Sequence, residues 1–148
     1  MAALKSQFSI RWGDLDALGH VNHLVYLSWL EEARIALLRE IGLTGGPGHE
    51  DSIGPILASL SCDYRIPLAY PGEVRVESWV SAVGRSSLTI DYQIFSERDE
   101  ADEDQRVAVA RSVIIAFDYQ RSESAPLSEA QRERVTHWLG EAATLRPR

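Results

Sequence analysis

The sequence contains one cysteine, Cys62. A lone thiol excludes an internal disulfide and any zinc cluster built on several cysteines. Flanked by Leu60-Ser61 and Asp63-Tyr64, it has a strand-like setting in which a free cysteine acts as a small buried hydrophobe. Long hydrophobic runs are also missing, and no stretch approaches the roughly 20 apolar residues that span a bilayer. The opening MAALKSQFSIRWGD has no long apolar core and no secretory cleavage pattern, so a cytoplasmic protein is expected. Positive charge is in deficit: 15 Lys and Arg stand against 22 Asp and Glu, for a formal net charge of −7. That balance opposes binding to nucleic acid or to an anionic membrane. An anionic ligand would need a local arginine cluster working against the overall field. No internal repeat, no domain linker and no metal-ligand spacing of His, Asp and Glu is present.

What the sequence does have is apolar content of 45% over 148 residues, enough for a single domain, residues 1–148, with one core. Its most informative stretch is 11–34, RWGDLDALGHVNHLVYLSWLEEAR. Asp14 and Asp16 precede a short turn around Gly19, and a long apolar helical segment follows at once. Carboxylates therefore lie next to the exposed N–H groups of a helix start. A carboxylate and an anion-stabilising helix end are two of the parts needed for attack on a polarised carbonyl.

Periodicity gives the rest of the layout. Phe8, Ile10 and Trp12 alternate as a first strand over 6–13. Asn22 serves as N-cap of a helix over about 23–41, with Gly42 as its C-terminal glycine. The polar stripe of this helix is narrow (Ser28, Glu31, Glu32, Arg39). Leu24, Tyr26, Leu27, Leu30, Ala33, Leu37, Leu38 and Ile41 cover much of the remaining surface, so other structure must wrap it. After the Gly/Pro loop TGGPGHEDSIGP, a period of two predicts one strand over 56–67. A second strand has Val74, Val76, Val80 and Ala82 on one face. A third has Leu88, Ile90, Tyr92 and Ile94 on one face. Val107, Val109, Val113, Ile115 and Phe117 mark a long final strand. Short connections at 71–72 and 84–87 imply antiparallel neighbours. ERDEADED (97–104) reads as a solvated hairpin tip. Residues 128–140 read as a terminal helix capped by Ser128. The economical packing is one curved antiparallel sheet around one helix, an α+β architecture. Edge strands of such a sheet pair readily, so a homodimer is expected.

The combined pattern resembles the 4-hydroxybenzoyl-CoA thioesterase family of hotdog-fold proteins. The residues that carry the resemblance are Trp12, the Asp14-x-Asp16 pair, Gly19-His20-Val21-Asn22, Tyr26 and Glu31-Glu32-Ala33-Arg34. DYRIPLAYPGEVRVE, VGRSSLTIDYQIF and ARSVIIAFDY add to it. The sequence departs from the family at His23, where many relatives carry a second Asn, and this bears on substrate identity more than on chemistry. The resemblance implies a hotdog fold, a homodimer with active sites at the subunit interface, and often a dimer of dimers. It implies hydrolysis of an acyl-CoA thioester with no metal or redox cofactor, coenzyme A entering only as part of the substrate. It assigns catalysis to Asp16 and carbonyl polarisation to the backbone N–H of His23.

Each candidate also has a plainer role. Asp16 suits a turn; as a catalyst it is either a nucleophile or a general base toward water. Asp14 is expected to bond the turn backbone. Among candidate substrate contacts, Gly19 and His20 form the turn, and Asn22 either bonds the substrate carbonyl or caps the helix. Tyr26 and Trp29 touch the acyl group or pack the core. Arg85, Ser86 and Ser87, on a strand turn that in relatives approaches the pantetheine arm or the nucleotide, are candidates against a plain polar hairpin. Arg65, Arg121 and Arg132 are weaker candidates for phosphates, Arg34 reads as structural, and His49 and His137 receive no role. Two other classes compete. An enoyl-CoA hydratase would use Asp16 and His20 as its acid–base pair. A binding module for acyl-CoA or acyl-carrier protein would keep the pocket without turnover.

Overall fold

The computed structural model describes residues 2–97 and 104–147. Among them the elements run β1 (Leu4–Ser9), α1 (His23–Ile41), β2 (Ile53–Tyr64), β3 (Glu73–Val83), β4 (Ser87–Glu97), β5 (Gln105–Asp118), β6 (Glu123–Ser124) and α2 (Glu129–Val135). The strands form one antiparallel sheet in the order β1-β3-β4-β5-β2, with the short β6 beside β5. β2 therefore leaves one long edge without a partner strand.

α1 begins and ends where its caps place it. The Asn22 side chain accepts from the Leu24 N–H, and Gly42 takes a left-handed φ of 88° that lets its N–H reach Leu38 and Arg39. Only glycine adopts that backbone without strain. Leu43 then closes the end with an N–H bond to Leu38 and a buried side chain. Leu30, Ala33, Leu37 and Ile41 have no exposed surface, and they meet Val74, Val76, Val80, Leu88, Ile90 and Ile94 of the sheet in one core. Each fully buried Leu, Ile or Val contributes about 1.5–3 kcal/mol. On β5 the residues inside are small: Ala108, Ala110, Ser112 and Ala116 alternate there with Ile114, all buried.

Several boundaries differ from the sequence expectation. β1 ends at Ser9, and Trp12–Asp14 form a tight 3-10 turn that leaves Trp12 76% exposed. The cause is Asp14, whose carboxylate accepts the Arg11 N–H at 2.8 Å and curls the chain out of the strand. β2 starts at Ile53 and stops at Tyr64, three residues earlier at each end than the expected 56–67. The register shifts between Val80 and Ala82, so Ala82, expected on the face of Val80, is exposed. Leu24, expected to be covered, is 59% exposed. Most of the acidic run at 97–104 lies outside the described residues; Arg75 pairs with its two flanking members, Glu97 and Asp104.

The terminal helix is shorter than 128–140. Ser128 and Gln131 form a reciprocal capping box, the helix ends at Val135, and a 3-10 turn covers Thr136–Trp138. The chain from 139 to 146 then crosses the outer face of the sheet as a strap. Gly140 bonds Val80 of β3, and the Trp79 indole N–H donates to the Glu141 carbonyl at 2.9 Å. Ala143 N–H donates to Asp91 of β4 at 2.7 Å, and Arg111 of β5 donates to the Ala143 carbonyl at 2.8 Å. Arg146 N–H reaches Asp63 of β2. Trp79, Asp91 and Arg111 are direct cross-strand neighbours, so the strap runs across the strands rather than along one. Asp91 is fully buried beneath it, paired with Arg111 and accepting from Ser81.

Candidate active site

Asp16 opens a turn that folds back on itself. Its N–H donates to the His20 carbonyl at 2.7 Å, Gly19 N–H donates to the Asp16 carbonyl, and Leu15 bridges to Val21. Gly19 has a positive φ of 77°, so its part in the motif is conformational. One carboxylate oxygen of Asp16, Oδ1, accepts from the N–H groups of Leu18 at 2.9 Å and His20 at 3.2 Å. The other, Oδ2, accepts no hydrogen bond from the described residues. The turn role and a chemical role therefore fall on different oxygens of one side chain.

Asp14 is different. It is buried, and both of its oxygens are engaged by Arg11. Its carbonyl also receives the Asn22 N–H at 2.8 Å, which fixes the chain entering α1. Asn22 spends its side-chain oxygen on the cap of the helix, at 3.0 Å from Leu24 N. The next residue, His23, is the first in the helix. Its N–H belongs to the set that has no partner inside a helix, and it finds no acceptor elsewhere among the described residues.

A groove of about 320 Å³ lies at this helix start. Asp16, His20, Val21, His23 and Tyr26 form one side, and Tyr64, Arg65, Ile66 and Pro67 form the other. The second wall comes from the end of β2 and the loop after it. That loop is tied down by bonds from Val21 N–H to Leu68 and from Ile10 N–H to Gly72. Tyr64 meets the Tyr26 ring edge-on at 5.1 Å and the His23 ring edge-on at 6.4 Å. Burial pushes the Tyr26 phenol up to about 12, against a Leu68 backbone hydrogen bond that pulls it down. Burial raises the Tyr64 phenol too, and neighbouring Cys62 adds to the rise. Both phenols are protonated and able to donate at neutral pH. The Cys62 thiol is raised to about 11, first by burial, which keeps it from being a nucleophile at neutral pH.

Of the sequence candidates, the groove gathers Asp16, His20, His23 and Tyr26, together with Arg65, a weaker candidate for phosphates. His20 meets Asp16 through its backbone N–H, not its imidazole. Trp29 lies in the core, stacked on Phe8 at 6.2 Å and tilted against Tyr26 at 5.5 Å. Arg85, Ser86 and Ser87 are elsewhere. Ser87 pairs at the level of Ile115 and Tyr64 at that of Ala108, a separation of about 24 Å along β5 at the usual strand rise. The backbone carbonyls of Arg85 and Ser86 bond Leu127 and Ala116, and Arg132 donates to the carbonyls of Gly84 and Arg85. Arg121 reaches toward Asp118 and lies outside the groove. Tyr64, Ile66 and Pro67 were not anticipated as wall residues. Their signal was present in the DYRIPL segment, but nothing in it shows that the end of β2 returns to the start of α1.

Residues 10–135 match the family model of the thioesterase-like superfamily, and the chain belongs to that family. It is 28% identical over 141 residues to a 1,4-dihydroxy-2-naphthoyl-CoA hydrolase of Synechococcus elongatus, covering 94% of this chain and 96% of that one. Its fold matches that of a predicted thioesterase from Bacillus stearothermophilus with a TM-score of 0.82 at 19% identity, over 96% of this chain and 100% of that one. A DHNA-CoA thioesterase from Staphylococcus aureus matches with a TM-score of 0.77 at 21% identity, over 92% and 90% of the two chains. The sheet wrapped on a central helix is thus the hotdog arrangement.

Proposed function

We propose that this protein hydrolyses an acyl-CoA thioester to a free acid and coenzyme A, with Asp16 as the reacting carboxylate. The observation that carries this reading is the Asp16 side chain, which has one oxygen fixed by two backbone N–H groups and the other unengaged at a groove where α1 begins. Oδ2 either attacks the thioester carbonyl, giving an anhydride that water cleaves, or takes a proton from the attacking water. The oxyanion that develops is met by the His23 backbone N–H at the positive end of the helix. A donor of this kind contributes roughly a hundred- to a thousandfold in rate. Membership of the thioesterase-like superfamily supports the reaction class, and the relative named for a bulky aryl-CoA substrate makes aromatic acyl groups the first to assay.

A homodimer completes the site in this reading. β2 has an open edge on which Ile56 and Leu57 are exposed, and Leu24 and Ile35 of α1 are exposed as well. The Arg85–Ser87 turn, remote within one protomer, would reach a groove only from a second copy. The hydratase alternative loses ground because the His20 imidazole is not engaged with Asp16.

The test is thiol release across aryl and aliphatic CoA esters with the wild type, Asp16→Asn and Asp14→Asn. Asp16→Asn should lose at least a hundredfold in kcat while keeping its turn, since an amide oxygen accepts the same two N–H bonds. Asp14→Asn should retain more turnover than Asp16→Asn. Wild-type turnover in Asp16→Asn, or the reverse ranking of the two variants, would sink the assignment.

A further inference from the structure

Arg65 is the arginine on the groove wall, and it is exposed. Arg11, Arg75, Arg111 and Arg121 each face a carboxylate. Arg65 has none within ion-pair distance among the described residues. Among the described residues its guanidinium has one hydrogen-bond partner, and that partner is neutral: Nη2 donates to the Thr144 backbone carbonyl at 2.9 Å. A carbonyl takes one N–H of the fork and leaves the charge and the other donors uncommitted. In a chain of net charge −7, a cation on the groove lining with no carboxylate in ion-pair range is suited to an anionic oxygen that must enter against the overall field.

The position of that guanidinium is set from outside the groove. Thr144 belongs to the strap, and its neighbour Ala143 is clamped by Asp91 and Arg111. Asp91 is fully buried and accepts from Arg111 Nε and Nη2, each at 2.9 Å. A rigid pair beneath the sheet surface therefore fixes the carbonyl that orients Arg65.

We propose that Arg65 determines specificity by engaging an anionic oxygen of the substrate, and that residues 139–146 are its positioning element. The proposal rests on the acyl-CoA reading of the groove. The anionic oxygen belongs either to a coenzyme A phosphate or to an acidic substituent on the acyl group; the recognition chemistry is the same.

Calorimetric binding tests it without turnover, using S-propyl-CoA, S-carboxyethyl-CoA and S-carboxyethyl-N-acetylcysteamine as stable thioethers. Arg65→Ala should weaken at least one probe by about tenfold, the scale of a charge-assisted hydrogen bond. Arg65→Lys should recover part of the loss, and the wild-type advantage should shrink with added salt. Weakening of both CoA probes assigns the contact to phosphate; weakening confined to the carboxyethyl probes assigns it to the acyl group. Ala143→Pro removes the N–H that holds the strap to Asp91 and should shift the same probe in the same direction by less. Dissociation constants within twofold of wild type for all three probes in Arg65→Ala would overturn the proposal. An Ala143→Pro protein that folds and binds like wild type would overturn the role of the strap. Should Ala143→Pro fail to fold, the Arg65 variants still decide the contact. Thiol release judges the hydrolase reading separately: no release from any ester ends that reading, whereas unchanged dissociation constants end this one.

Discussion

A carboxylate has two oxygens, and Asp14 and Asp16 differ in how many of theirs are spent. Both oxygens of Asp14 hold Arg11, which closes it to chemistry. The D-x-D spacing showed two acids before a helix, and the motif around it ranked Asp16 over Asp14. What spacing did not show was that Asp16 meets the turn with Oδ1 alone. Cys62, expected as a small buried hydrophobe, is a thiol partly buried against the core. Its value is raised from 9.0 to about 11 by burial. A group raised on folding favours the folded state below its unfolded value, and that contribution is lost as pH climbs from about 9 toward 11. Alkylation of folded protein by iodoacetamide at pH 8 should accordingly be much slower than that of the urea-unfolded chain, and should accelerate as pH approaches 11. Equal rates at pH 8 would show the thiol to be open and ionised.

Helix α1 was the most legible element, because its caps are chemical and local. Asn22 and Gly42 bracket 19 residues, and both ends fell where the sequence placed them. Asn22→Ala should cost about 1 kcal/mol of stability, measured by urea unfolding. Because the cap also orients the first turn, the same variant should lose thiol-release activity beyond what its stability loss explains. The strands were legible in number and alternation but not at their ends. Phe8, Ile10 and Trp12 continue an alternating pattern past the point where Asp14 bends the backbone, and periodicity has no term for a side chain that captures its own main chain. In β5 the branched residues stand out in the sequence, while the small set Ala108, Ala110, Ser112 and Ala116 is buried. Which face of β5 turns inward depends on the packing of the whole core, which no local window contains.

At the scale of the whole molecule the sheet order β1-β3-β4-β5-β2 puts the open edge beside the groove. A sequence shows that edges exist, but which strand ends the sheet depends on long-range pairing. If two copies join along β2, Leu57→Asp should shift the protein from dimer to monomer in sedimentation velocity and reduce turnover together. A monomeric wild type would remove that account of the Arg85–Ser87 turn. The strap was the feature least visible beforehand, since residues 139–140 read as the end of the terminal helix and 141–146 have no period, and its order comes from the Asp91–Arg111 pair below. It ends with Arg146 at Asp63, two positions before Arg65 on the groove wall. Leu4, by contrast, starts the strand at the opposite border of the sheet, about 19 Å away at the usual strand spacing. A fluorophore placed at Arg146 would therefore stand near the strand end that supplies one groove wall, and its emission should change on occupancy. An immobilisation tag is better carried near Leu4, where it leaves that wall clear.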